Sequence, residues 1–309
     1  MAADAGPFAP HQCMARQGSV TQIPTHTPAM RGRTSRTRNI QMTVSTGAQT
    51  AQEFVDFSHE LADASRALIR SRFRKQIDVE MKPDDTPVTP TDLEVETLIR
   101  DMIADRYPTH GVIGEEHPDS AAGAECVWVI DPIDGTRSFI AGRPVFGTLI
   151  ALAIGEVPVL GVVDIPITQE RWVGATGHST RLNGEVARTR QCAAMSDAIL
   201  LATSPEYLGE DAAQPFARIA GESRFNIYDA GTQGYGLVAS GHADIMIAAR
   251  YGIVDYLAAV PVIEGAGGAV RAWDGSRLNL HSGDRIVAVG DAARLPEALA
   301  LLAQNDAEG

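Results

Sequence analysis

Cysteine is scarce in this chain. Only Cys13, Cys126 and Cys192 occur in 309 residues. An odd number at these spacings makes neither a disulfide framework nor a paired zinc-ligand pattern, which points to a reducing compartment. Long apolar runs are also missing. A bilayer-spanning helix needs roughly 20 apolar residues, and the Ala-rich stretch from 257 to 270 is broken by Pro261, Glu264 and several glycines. The expectation is a soluble protein with no membrane partner. Basic residues are outnumbered, 26 against 39 acids, for a net charge of -13. A nucleic-acid groove needs clustered Lys and Arg, so none is expected. A small anionic substrate stays open, because divalent cations reverse the sign of the local field. The eight histidines show no HExxH or other paired spacing, which argues against catalytic zinc. Ser138 and Ser204 lack a nucleophile-elbow context, and the GAGG at 265–268 lacks the strand and helix of a dinucleotide fingerprint.

Residues 1–45 differ from the rest. Pro, Thr, Ser, Gln and Arg dominate, hydrophobic periodicity is absent, and Asp4 is the only acid before Glu53. The composition reads as a disordered extension. Arg16, Arg31, Arg33, Arg36 and Arg38, with almost no acids, fit an organelle transit peptide such as a chloroplast leader. An upstream start codon with Met42 as the true beginning, and a cytoplasmic protein, fits them too.

Beyond this segment, two periods alternate. QEFVDFSHELADASRALIRSRFR (52–74) carries Phe54, Phe57, Leu61, Ala64, Leu68 and Ile69 at helical spacing. DLEVETLIRDMIADRY after Thr91 does the same with Leu93, Val95, Leu98, Ile99, Met102 and Ile103. GVIGEE, ECVWVID, GTLIALAI, VPVLGVVDIP and ERWVGATG then read as strands, with a hairpin at TRLNGEVA. The second half mixes AILLATSP, RFNIYDAGT, ADIMIAA, AVRAWDG and RIVAVGD as strands with helices at DAAQPFARIA, QGYGLVASG, DYLAAVPVIEGAGG and ARLPEALALLAQN. Such interleaving predicts a layered α/β or α+β build. We divide it into an α+β half at 46–190 and an α/β half at 191–309.

The chemistry gathers where apolar strands end. In WVIDPIDGT, Asp131 and Asp134 follow a Trp-Val-Ile run. Two such carboxylates repel each other and are costly to desolvate unless a cation lies between them. A turn fixed by Pro132 can direct both to one side; Gly135 admits a ligand close to the backbone, and Thr136 adds a hydroxyl at a helix start. Glu115 and Glu116 end another apolar run, and Asp255 opens a helix in YGIVDYLA. Hard ions such as magnesium use a few carboxylates plus water and phosphate. Asp is also an ordinary cap or turn residue, but a turn does not need two acids beside Gly-Thr.

At this point the sequence resembles a known family. IGEE (113–116), DPIDGT (131–136), VTPTD (88–92) and VDYLAAVPVIEGAGG (254–268) are similar to the signatures of inositol monophosphatase-type, magnesium-dependent, lithium-sensitive phosphatases. DPIDGTRSFIAGRPVFGTLIAL and ERWVGATG look most like the histidinol-phosphate phosphatase branch. The resemblance implies a layered αβαβα sandwich, a homodimer, and two or three magnesium ions per active site. It would put Glu115, Asp131 and the carbonyl of Ile133 on one ion, and Asp131, Asp134 and Asp255 on another. It assigns Thr136, oriented by Asp92, together with Glu115, to activating a water. Gly135 and Thr136 would receive the phosphate, and Asp229, Gly231 and Thr232 would lie near the substrate. Glu116 reads as an outer-shell residue or a solvated acid, and Lys82 as an electrostatic brace or a surface lysine.

Two departures bear on substrate. Val254 precedes Asp255 where the family commonly has Trp. The branch usually carries an Asp at the position of Gly231, whereas here the nearby acid is Asp229, which would suit a cationic amine or imidazole. The resemblance favours L-histidinol phosphate; inositol monophosphate or other small sugar and polyol phosphates are the alternative. A silent scaffold relative is disfavoured because Glu115, Asp131, Asp134, Asp255, Thr136 and Asp92 are all kept.

Overall fold

The computed structural model describes residue 50 and residues 52–121 and 123–303; the extension read at 1–45 lies outside them. Helix α1 (Gln52–Arg72) leads through a hairpin, β1 (Glu80–Met81) and β2 (Pro87–Val88), to α2 (Pro90–Arg106). Strands β3 (Gly111–Gly114) and β4 (Cys126–Asp134) follow, then the one-turn helix α3 (Thr136–Ile140). Next come β5 (Gly147–Ile154), β6 (Val157–Ile165), β7 (Glu170–Ala175), β8 (Arg181–Leu182) and β9 (Glu185–Val186). The remainder runs β10 (Ile199–Ala202), α4 (Glu210–Glu222), β11 (Phe225–Tyr228), α5 (Gln233–Ala239), β12 (Ile245–Ala248), α6 (Ile253–Tyr256) and α7 (Ala259–Ala266). It closes with β13 (Ala269–Ala272), β14 (Ile286–Val289) and α8 (Leu295–Ala303). Strands β3 to β9 form one sheet in chain order, mostly antiparallel; the other runs β11-β10-β12-β14-β13.

Side-chain alternation along the strands builds the layers. On β4 and β5, Trp128, Ile130, Ile150 and Leu152 face Phe54, Phe57 and Leu61 of α1 and Val95, Ile99 and Ile103 of α2. Their neighbours Val127, Val129, Leu149 and Ala151 face the opposite way, into a core shared with Tyr235 and Val238 of α5 and Val262 and Ile263 of α7. That core also takes Met246, Ala248, Ile286 and Ala288 from the second sheet. The alternate residues Ile245, Ile247, Val287 and Val289 turn outward against Phe216 and Ile219 of α4 and Ala298 and Leu302 of α8. The order is helices, seven-stranded sheet, helices, five-stranded sheet, helices: the αβαβα sandwich. Both faces of each sheet are covered, which is why strands such as GTLIALAI are continuously apolar.

Helix α2 departs from its expected apolar stripe. Leu93 is 37% exposed, whereas Asp92 and Glu96 are fully buried. Both acids point inward because each has polar partners there, described below. A buried ion cluster fastens α1 to the sheet: Asp164 accepts from Arg66 Nη2 at 2.6 Å and Nε at 3.0 Å, and from Arg171 Nε at 2.6 Å. Helix α7 lies very close to the strands beneath it. A Cβ on Gly161 of β6 would collide with the carbonyl of Ala258, and one on Gly174 of β7 with that of Pro261.

Candidate active site

The two aspartates of DPIDGT lie within β4 rather than in a turn after it. The ladder to β5 pairs Asp131 with Leu149 and Asp134 with Gly147, so three steps on β4 oppose two on β5. Residues three apart on a regular strand face opposite ways. One extra residue, a β-bulge, brings Asp134 back to the side of Asp131. Pro132 is tolerated there because ladder bonding is already interrupted, and its carbonyl accepts the Thr148 hydroxyl at 2.9 Å. Gly135 then takes a left-handed conformation, φ 92°, to start α3, which only glycine adopts without penalty.

Asp255 enters from the first turn of α6, with one carboxylate oxygen held by the amide of Gly252 at 2.6 Å. Carboxylate oxygens of Asp131, Asp134 and Asp255 come within 4.8 Å of one another. Burial, and after it the charges of Glu115, Asp134 and Asp255, push the Asp131 carboxyl well above its usual range. Burial likewise raises Asp134 to about 6, and burial with the Asp134 charge raises Asp255 to about 8. Three acids that resist ionising together, with Oδ1 of Asp131 buried and lacking a hydrogen-bond partner among the described residues, make a donor set suited to a hard divalent cation. The all-oxygen donor set is the kind that hard ions such as magnesium take.

Glu115 lies at the rim of this group, in the same cleft but with its carboxylate on Lys82 Nζ at 2.9 Å. The same ammonium reaches Glu116 at 2.8 Å. Glu116 is therefore not a solvated acid: its side chain is 3% exposed. Lys82 comes from the β1–β2 hairpin, which the sequence reading had not recognised, and bridges two carboxylates as a brace would.

Thr136 and Asp92 meet. The threonine hydroxyl lies 3.1 Å from both Asp92 Oδ1 and the carbonyl of Ile133. Burial raises the Asp92 carboxyl, against the bonds it accepts from Thr89 and Thr136. Its other oxygen accepts the amide of Thr89 at 3.0 Å, completing a capping box at the start of α2. Thr232 is buried behind the site rather than on its wall, its hydroxyl given to the Asp134 carboxylate.

The acids open into a cleft of about 250 Å³ whose walls include Gly135, Thr136, Arg137, Thr203, Tyr207, Asp229, Gly231 and Tyr251. Asp229 pairs with Arg143 at the mouth. A Cβ on Gly231 would approach the Val145 carbonyl to 2.8 Å, so an acidic side chain at that position would need the loop to move. Sequence reading missed Arg137, Arg143, Thr203, Tyr207 and Tyr251. Tyr251 could have been flagged by its place four residues before Asp255, and Arg137 and Arg143 by lying just after DPIDGT; Thr203 and Tyr207 carry no local signal. A separate cavity of about 320 Å³, beside His59, Arg66 and Arg171, holds none of these acids.

The chain is similar to known proteins along most of its length. Residues 50–306 match the Inositol monophosphatase family. The bifunctional phosphatase IMPL2 of Arabidopsis thaliana chloroplasts is 43% identical over 237 residues, 76% of this chain and 68% of that protein. A histidinol-phosphatase of Chlorobaculum parvum is 34% identical over 75% of this chain and 90% of its own. Among solved structures, an inositol monophosphatase from Zymomonas mobilis superposes with a TM-score of 0.75 at 38% identity, covering 82% of this chain and 98% of that one.

Proposed function

The chain belongs to the inositol monophosphatase family and is a phosphoric monoester hydrolase, and from that premise we propose that it releases phosphate from L-histidinol phosphate with magnesium held by Glu115, Asp131, Asp134 and Asp255. The observation that carries the metal assignment is the trio of buried Asp131 with half-buried Asp134 and Asp255, within 4.8 Å of one another. Bound magnesium would supply Lewis acidity, neutralising phosphate charge and lowering the pKa of water.

The protein's own groups supply the rest. Thr136 lines the cleft, and its hydroxyl donates inward, which leaves oxygen lone pairs to accept a proton from a water on the cleft side. Asp92 behind it is the anion that can receive the relayed proton. Water oxygen bonds to phosphorus as its proton passes through Thr136 to Asp92, the ester P–O bond breaks, and the departing alcohol oxygen takes a proton from solvent. Thr232 keeps Asp134 in its rotamer through a hydroxyl-carboxylate bond. Lys82 offsets the charge of Glu115 and Glu116. Gly135 and Thr136 would meet the phosphate, and the wall bearing Asp229 would meet the organic part.

Substrate choice rests on two supports: likeness to histidinol-phosphatases over most of both chains, and Asp229 at the mouth as a partner for a cationic amine or imidazole. Inositol 1-phosphate is the second reading, favoured by the 38% identity to an inositol monophosphatase. A phosphate-release panel with magnesium, comparing histidinol phosphate, inositol 1-phosphate, fructose bisphosphate and adenosine bisphosphate, tests it. A preference for histidinol phosphate of at least about tenfold, some 1.4 kcal/mol, is expected; equal turnover of all four would refute it. A homodimer belongs to the same reading, as does a cytoplasmic location or, if residues 1–45 are a transit peptide, an organelle such as the chloroplast, where the relative IMPL2 resides. Free thiols at Cys126 and Cys192 suit a reducing compartment, and no described helix is long and apolar enough to cross a membrane.

A further inference from the structure

Glu96 lies on α2 one turn beyond Asp92, and its side chain has no exposure. A buried carboxylate is costly unless its lone pairs are filled, and here they are filled by the segment that carries Glu115. Oε2 accepts the amide of Glu116 at 2.7 Å, and Oε1 accepts the amide of His117 at 3.2 Å and Nε of Arg100 at 2.7 Å. Arg100 turns its Nη2 to the carbonyl of His117 at 3.1 Å. The main chain just past Glu115 is thus gripped at two amides and one carbonyl by a single ion pair.

The grip needs room on its other side. A Cβ on Gly114 would collide with Glu96 Oε1 and come within 2.7 Å of Arg100 Nη2, so the carboxylate passes only because residue 114 has no side chain. Residues 115 and 116, between Gly114 and the clamped His117, send both carboxylates to Lys82. One helix therefore steers two parts of the cleft: Asp92 holds the Thr136 hydroxyl and Glu96 holds the backbone beneath Glu115. A lone stabilising ion pair would not require bonds to successive amides next to a cleft acid.

From this geometry we infer that Glu96 is a positioning residue, which fixes the direction of Glu115 through the amides of 116 and 117 and thereby sets the affinity of the cleft for divalent cations. It touches neither metal nor substrate. The inference rests on the metal-dependent reading of the cleft.

The test is magnesium titration of the full chain by calorimetry, with thermal melting in chelator alongside. Glu96→Gln removes the charge and turns an N–H donor toward amides that are themselves donors. It should weaken magnesium binding by about ten- to a hundredfold, the usual scale for groups that orient ligands. In a double-mutant cycle with Glu115→Gln, the effect should vanish, because Glu96 acts through Glu115. Should Glu96→Gln not fold, Glu96→Asp, one methylene too short to reach both amides, is measured by the same criteria. Magnesium affinity within about twofold of wild type in a folded variant, or an effect that persists in full when Glu115 is already Gln, overturns the inference. Absence of magnesium binding by the wild type would instead overturn the metal-dependent reading itself.

Discussion

Thr136 donates its hydroxyl to Asp92 across 44 residues of sequence, at 3.1 Å, while the second oxygen of the same carboxylate caps α2. One acid thus anchors a helix and aims a hydroxyl into the cleft. Replacing Thr136 by Ala should lower kcat by about 10² to 10⁴, the range for a positioned proton carrier, with KM changed little. Thr136→Ser should recover most of the loss. Steady-state phosphate release decides it, and a Thr136→Ala enzyme of unchanged kcat would remove the hydroxyl from the mechanism.

Asp134→Asn should abolish hydrolysis, by about 10³ or more in kcat, a barrier change of roughly 4 kcal/mol. In chelator the same variant should melt no lower than wild type, since one of three mutually repelling, closely spaced acids has been neutralised. Calorimetric melting with and without EDTA separates the two effects; a large loss of stability in chelator would contradict the electrostatic account.

Magnesium should raise the melting temperature of the wild type. At a hundred times its dissociation constant the ion contributes about 2.7 kcal/mol, a shift on the order of 5 to 10 °C for a chain of this size. Chelation should reverse the shift and silence turnover together. Zinc-selective chelators that leave magnesium in place should do neither.

Trp128 donates its indole N–H to Nδ1 of His110 at 3.1 Å, which requires that nitrogen to be unprotonated. Burial lowers the His110 pKa below the ordinary 6.5. Because the folded value is the depressed one, the unfolded chain takes up the proton first. The contribution to stability is complete above 6.5 and is lost as pH falls toward the folded value. The cleft acids, raised by burial, act in the opposite sense and add stability as pH falls, so the test is a difference: His110→Gln, whose carbonyl can accept the same bond, should gain in unfolding midpoint over wild type from about pH 7.5 down to 5, removing the histidine-borne loss. An unchanged acid slope in that variant would assign it to other groups, of which His59, also lowered by burial, is the first to try.

Asp229→Asn should cost about tenfold in kcat/KM for histidinol phosphate, about 1.4 kcal/mol, and leave inositol 1-phosphate within about twofold. Asp229 is half exposed and already paired with Arg143, so solvent screening limits the effect. Equal losses on both substrates would mean that the carboxylate shapes the loop rather than reading charge.

Much of the sandwich was legible in the apolar periods. The helical stripe of Phe54, Phe57 and Leu61 and the double-faced strands such as GTLIALAI needed only the number of buried faces to be read correctly. The acids of the cleft were legible by resemblance and by the unusual density of carboxylates in DPIDGT. Geometry that depends on tertiary partners was not. Nothing local separates a bulge at Pro132 from a turn, since both interrupt the ladder. Leu93 and Glu96 sit on neighbouring helical positions, and only the amides of residues 116 and 117, brought in by β3, decide that the acid faces inward and the leucine outward. The hairpin carrying Lys82 has two residues per strand, too short for any period to emerge.

Where Asp255 stands relative to the aspartates of β4 depends on residues far from them as well as on the packing of α6 against β4 and β5. Helix α7, which follows α6 directly, rests on the sheet with nothing but hydrogen atoms as spacers at Gly161 and Gly174, beneath Ala258, Pro261 and Val262. Those two positions act as a gauge: a methyl group at either would work as a shim beneath the helix pair, lifting the third acid away while every carboxylate stayed in the sequence. A relative that keeps all its acids yet carries alanine there would hold the parts of a cation cage at the wrong separation, so an intact motif is not enough to infer a working centre.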